Sequence, residues 1–190
     1  MLVTRMLRTA GFLGATLSLF FATGCYGWAR ANGGPTYSTT GRQGQSGYVG
    51  GIDGVFGLKE NSKINRSQKP FPVGLHNSVE IALAPERKTL AWGTALAMWS
   101  KPRPISPYVL LGSYLHADLL QNKVSFGNVS PYGEIGLLGQ LGDRTDEDEN
   151  GMIFTLGLEL QYLIQYLHPP GEPILPGFFT LKFGIGFEKN

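Results

Sequence analysis

Residues 152 to 167 read MIFTLGLELQYLIQYL, in which Phe154, Leu156, Leu158, Leu160, Tyr162, Ile164 and Tyr166 alternate with Thr155, Gly157, Glu159, Gln161, Leu163 and Gln165. A period of two places these sets on opposite faces of an extended strand, one large and apolar, the other mostly small or polar. Residues 177 to 188 repeat the theme, with Phe179, Leu181, Phe183, Ile185 and Phe187 opposed by Thr180, Lys182, Gly184, Gly186 and Glu188. Residues 73 to 84 set Val73, Leu75, Val79, Ile81 and Leu83 against Gly74, His76, Ser78, Glu80 and Ala82. In residues 89 to 99 the second face, Ala91, Gly93, Ala95 and Ala97, is small rather than polar. Segments 47–58, 107–118 and 130–142 complete a set of seven predicted strands.

The stretches between them carry breaker chemistry: KENSKINRSQKPFP, APERK, SKPRPIS, GDRTDEDENG and HPPGEPILPG. Most of the charge lies there. The seven strands hold about one ionisable group each, Asp53, Glu80, Asp118, Glu134, Glu159 and Lys182, with none in 89–99. A soluble sheet covers its exposed face with Lys, Glu and Arg, whereas here the less apolar face is Gly, Ala, Ser, Thr and Gln, which suits a narrow lumen. In this pattern residues 47 to 190 resemble the small outer-membrane β-barrels. The resemblance implies an all-β, small antiparallel up-and-down β-barrel with an apolar outer band, a bacterial outer-membrane location, and a structural, adhesive or narrow-channel role rather than catalysis. Such barrels have an even number of strands, so an eighth is expected, at Pro35 to Gly41 or by a split of Leu119 to Val129. The alternatives are a seven-stranded sandwich and a lipid-tethered, soluble lipocalin-like barrel holding an apolar ligand.

The first residues have the parts of a secretory signal: Arg5 and Arg8, then the uncharged stretch AGFLGATLSLFFA from Ala10 to Ala22. Two cleavage sites compete. Ala22-Thr23-Gly24-Cys25 resembles the lipobox of bacterial lipoproteins, which implies lipidation of Cys25; Ala29-Arg30-Ala31 fits an ordinary signal peptidase. Cys25 is the only cysteine, and lipidation explains an exported thiol that has no partner. The expected organisation is a signal peptide over 1–24, a tether over 25–46 rich in Gly, Ser, Thr and Gln, and a barrel over 47–190.

Without residues 1 to 24, which hold two of the 16 basic residues, 14 basic groups face 14 acidic ones, so the basic excess that nucleic acid requires is absent. Charged residues make up 16% of the chain against a typical quarter, and its 27 glycines are about twice the usual share, so the expected partners are outer-membrane lipid or lipopolysaccharide. No cofactor is expected apart from weak Ca2+. Asp146, Asp148 and Asn150, followed by Gly151 and Ile153, reproduce the opening of an EF-hand loop, although Gly157 stands where the closing Glu belongs; an acidic hairpin loop accounts for the same residues. His76, Ser78 and Glu80 share a strand face in a way that suggests the Ser/His/acid hydrolases built on small barrels, but residues two apart on a strand lie about 6.5 to 7 Å apart at the backbone. The more economical expectation is a polar lumen lined by Asp53, His76, Glu80, His116, Glu134, Glu159 and Lys182. Trp92, Trp99, Tyr108, Tyr132, Tyr162 and Tyr166 are expected as rim or core aromatics.

Overall fold

The computed structural model describes residues 26–39, 46–57, 73–85, 87–100, 104–119, 126–142, 150–162 and 177–189. They form eight antiparallel strands: β1 (Tyr26–Ser38), β2 (Gly47–Gly57), β3 (Val73–Ala84), β4 (Arg87–Trp99), β5 (Ile105–Asp118), β6 (Phe126–Leu141), β7 (Asn150–Tyr162) and β8 (Gly177–Lys189). Each pairs with its neighbours in sequence, and β1 pairs with β8, so the sheet closes on itself. Closure excludes the seven-stranded sandwich and removes every sheet edge.

The eighth strand is β1. Most of the stretch expected as a tether belongs to the wall, so the barrel begins at Tyr26 rather than residue 47. Pro35 to Ser38, part of one proposed eighth strand, are the far end of β1, while Phe126 to Val129, from the other, extend β6. The outer face of β1 is small rather than bulky, which hides it from a search for apolar periodicity. Its inward residues include Arg30, Asn32 and Thr36, and the positions between them are Ala31, Gly33 and Pro35. Pro35 lacks an amide hydrogen, and the β1–β8 pairing is interrupted at Gly34 and Pro35 before resuming in the same register. A Cβ on Gly34 would fall within bonding distance of the Leu181 carbonyl oxygen, so only glycine fits that close approach.

Following the paired residues once around the barrel, from Pro131 through Ser113, Thr94, Asn77, Gly54, Ala29, Phe187 and Met152, returns to β6 at Leu141, ten residues further along. Eight strands with this stagger leave an interior just wide enough for side chains to fill. The small inner face of β4 makes room for larger groups: a Cβ on Gly93 would lie 2.6 Å from the Tyr114 ring.

The two faces of the wall are inside out relative to a soluble barrel. Of the eight charged residues on strands whose side chains are described, Arg30, Asp53, Glu80, Glu134, Glu159, Lys182 and Glu188 are buried in the interior, and only Lys88, at the start of β4, is exposed. The outside carries Leu75, Leu111, Ile135, Phe183, Ile185 and Phe187, each more than half exposed.

Candidate functional site

The chemistry of this barrel is concentrated in its lumen, in two ion clusters that touch. Arg30 of β1 is the hub of the first. Its Nε donates to Asp53 Oδ1 and Oδ2, each at 2.9 Å, and Nη2 lies 2.7 Å from Glu134 Oε1. Nη1 donates to Tyr108 Oη at 2.7 Å and Thr155 Oγ1 at 2.9 Å. One planar guanidinium thereby ties β1 to β2, β5, β6 and β7, using the fixed fork of donors that only arginine supplies. Asn32 Nδ2 donates to Asp53 Oδ2 at 2.7 Å, His76 Nε2 stands 3.4 Å from the same oxygen, and the Tyr108 hydroxyl donates to Glu134 at 2.5 Å. Trp28 packs against the guanidinium, 4.9 Å from ring centroid to Cζ.

Lys182 of β8 is the hub of the second cluster. Its Nζ donates to Glu80 Oε1 at 2.5 Å, Glu159 Oε2 at 2.8 Å and Tyr114 Oη at 3.1 Å. The Tyr114 oxygen is 2.9 Å from Glu80 and 2.7 Å from Glu159, so its single hydrogen can serve either carboxylate. Glu134 joins the clusters, since its second oxygen is 3.7 Å from Lys182 Nζ. Two full positive charges thus meet four carboxylates. The hydroxyl and amide donors gathered around them supply the hydrogen bonds that ion pairing alone leaves unmade.

The lumen is layered along its axis. At the end where β1 begins and β8 ends it is stoppered by the buried side chains of Trp28, Val55, Trp99, Leu138 and Ile153, which sit near the start of β1 and β7 and the end of β2, β4 and β6. The ion clusters fill the middle. Beyond them Tyr132 stacks on Tyr114 with centroids 4.2 Å apart and bonds His76 Nδ1 at 2.9 Å. Toward the other end Gln161 Nε2 donates to Ser130 Oγ at 2.8 Å, with His116 Nε2 2.5 Å from the same Oγ, and Thr180 donates to Thr36 at 3.0 Å.

Every lumen residue expected from the sequence, Asp53, His76, Glu80, His116, Glu134, Glu159 and Lys182, is buried inside the barrel, and all except His116 enter the two clusters or border them. Arg30 was missed because it lay in the presumed tether and in an apparent cleavage motif. Tyr108 and Tyr132 are inside and bonded to the clusters, Trp99 is inside the stopper, Trp92 and Tyr162 face outward, and Tyr166 lies outside the described residues. His76, Ser78 and Glu80 all point inward, yet Ser78 Oγ has no hydrogen-bond partner among the described residues and Glu80 is taken by Lys182 and Tyr114. Asn150 opens β7, while Asp146, Asp148 and Cys25 lie outside the described residues. Among the described residues no group of His, Cys, Asp and Glu could hold a metal ion.

Fold and site together define a closed eight-stranded antiparallel barrel, apolar outside and plugged inside by an ion-pair network. Two solved structures share its fold: Neisserial surface protein A, at 13% identity and a TM-score of 0.51 over 88% of this chain and 97% of the other, and the N-terminal β-barrel domain of Pseudomonas aeruginosa OprF, at 14% identity and a TM-score of 0.53 over 86% of this chain and 98% of the other. No family model and no curated protein sequence matches the chain.

Proposed function

We infer that the chain is an integral β-barrel of the bacterial outer membrane with a structural or adhesive role, a membrane-held scaffold that presents its connecting segments, and not a pore. The observation that carries the membrane assignment is the distribution of charge, with seven of eight described strand charges in the lumen and bulky apolar side chains on the outer wall. In water that arrangement would expose an apolar patch far larger than soluble monomers carry, whereas in a bilayer it is the required one. The tyrosines support it: Tyr37, Tyr48 and Tyr162 are exposed near strand ends on one rim, where a ring sits in acyl chains and a hydroxyl in the headgroup layer. A lipocalin-like carrier needs a roomy apolar cavity, and this lumen is filled by ion pairs and a stopper. The scaffold role rests on that filling.

Export through residues 1–24 and lipidation of Cys25 belong to the same reading. The rival cleavage after Ala31 would remove Arg30 and half of a strand that pairs on both sides. Lipid or lipopolysaccharide acyl chains would then surround the wall. The segment bearing Asp146 and Asp148 joins the end of β6 to the start of β7, and weak binding of Ca2+ there is a separate proposal, removed if calorimetric titration gives only heat of dilution.

Spin labels at positions 158 and 159 test the membrane assignment. Leu158 lies on the outer wall near mid-strand and Glu159 is buried in the lumen. Lipid-soluble oxygen should quench a label at 158 while sparing one at 159; an oxygen-inaccessible 158 beside a water-exposed 159 would overturn the assignment.

A further inference from the structure

One cluster on the outer wall does not fit a surface that meets only lipid. Asn77 of β3, Thr94 of β4 and Ser113 of β5 are direct partners in the paired register, all three face outward, and each lies within the middle third of its strand or close to it. Apart from Lys88 and the rim tyrosines, they are the polar side chains on the described outer wall. The neighbouring row is apolar, Leu75, Leu96 and Leu111, again paired one to the next, and Trp92 stands on the other side. Among the described residues no side-chain hydrogen bond engages any of the three polar groups, so in a bilayer, on the reading above, their amide and hydroxyls would meet hydrocarbon near its midplane. An amide or hydroxyl left unpaired in such a medium is strongly disfavoured. Toward β1 the row continues with Gly54 and Ala29, whose low relief lets another wall come close.

We propose that this row is the centre of a two-fold interface with a second copy of the chain within the membrane. The chemistry of the row is self-complementary, because Asn, Thr and Ser each both donate and accept, and an isologous contact brings the same patch face to face. Two copies inserted in the same sense can be related only by an axis along the membrane normal. With that axis at β4, the central strand of the three, Thr94 meets its own copy and each Asn77 amide falls on the side of the second copy's Ser113. The leucine row and Trp92 then exclude lipid from the bonds, so the polar groups satisfy one another across the interface.

The test is photo-crosslinking in intact envelopes of cells carrying the full chain with two different tags. A benzophenone side chain at Leu96, beside the polar row, should give a product containing both tags, and one at Phe183, on the opposite strand β8, should not. The triple variant Asn77→Leu, Thr94→Val, Ser113→Ala, which keeps apolar groups of similar size on the outer wall, should lose the product while its folded band on unheated gels persists. Equal products from both positions, a product from Leu96 containing a different protein, or no product at all would each overturn the dimer. Urea washing of the same envelopes separates the two readings: a chain released by urea overturns the membrane assignment, whereas a chain retained without the crosslink overturns only the interface.

Discussion

Arg30 shows what a single side chain contributes to a barrel of this size. A guanidinium taken out of water is stabilised only if its donors are all met, and here Asp53, Glu134, Tyr108 and Thr155 meet them from four strands. Removing it leaves two carboxylates facing each other across the lumen. Arg30→Ala should therefore lower stability by about 3 to 5 kcal/mol, as for other broken buried pairs, read as a shift of the urea midpoint in lipid vesicles. Arg30→Lys keeps the charge and loses the fork, so its midpoint should fall between the two. Combining Arg30→Ala with Glu134→Gln should cost less than the sum of the single changes, since the second removes a charge the first has stranded. Outside, Leu158→Arg should cost about 2 to 4 kcal/mol near mid-strand, a penalty that comes from lipid and not from packing.

At the scale of the strand, seven elements were legible because the outer wall and the lumen carry different side chains at alternate positions. β7 is the clearest, with Leu156, Leu158 and Leu160 outside and Thr155, Glu159 and Gln161 inside. β1 was not legible, since its inner face holds Arg30, Asn32 and Thr36 while its outer face offers Ala31, Gly33 and Pro35, so composition pointed to a tether. The lumen charges could be placed because each stands opposite an apolar position on its own strand; the way they pair depends on register and stagger, which no single strand encodes. A chain beginning at Tyr26 should fold into vesicles and one beginning at Asn32 should not, as judged by migration on unheated gels, because the shorter chain lacks half of β1 together with Arg30. Gly157 gives a second test within β7: a Cβ there would come within 2.5 Å of Glu134 Oε1 and also strike the Tyr108 hydroxyl. Gly157→Val should push both off Arg30 and lower the urea midpoint as Arg30→Ala does.

For the whole molecule, the number of strands and their stagger set a lumen only side chains wide, and what fills it decides whether anything passes. The filling is asymmetric. Trp28, Trp99, Leu138 and Ile153 form a largely apolar floor at the end where β1 begins and β8 ends, with Glu188 buried beside Trp28 in the paired register, and the ion clusters stand above it toward the other end. An ion entering from the polar end meets four carboxylates already engaged by Arg30 and Lys182, and then a floor of bulky indole and aliphatic side chains with the single buried carboxylate of Glu188 among its described residues. Reconstituted in planar bilayers, the protein should therefore show no conductance steps in potassium chloride. Trp28→Ala with Trp99→Ala removes the two largest side chains of the floor, and this variant should conduct. With Glu188 at the opening and four carboxylates against two fixed positive charges above it, its current should favour cations over anions, measured as a reversal potential in a salt gradient. Trp92→Ala is the matched control, since Trp92 faces outward and its loss leaves the floor intact. Steady conductance in the unaltered protein would show that the floor does not seal; a double variant that stays silent while keeping its folded migration would place the seal in the ion clusters.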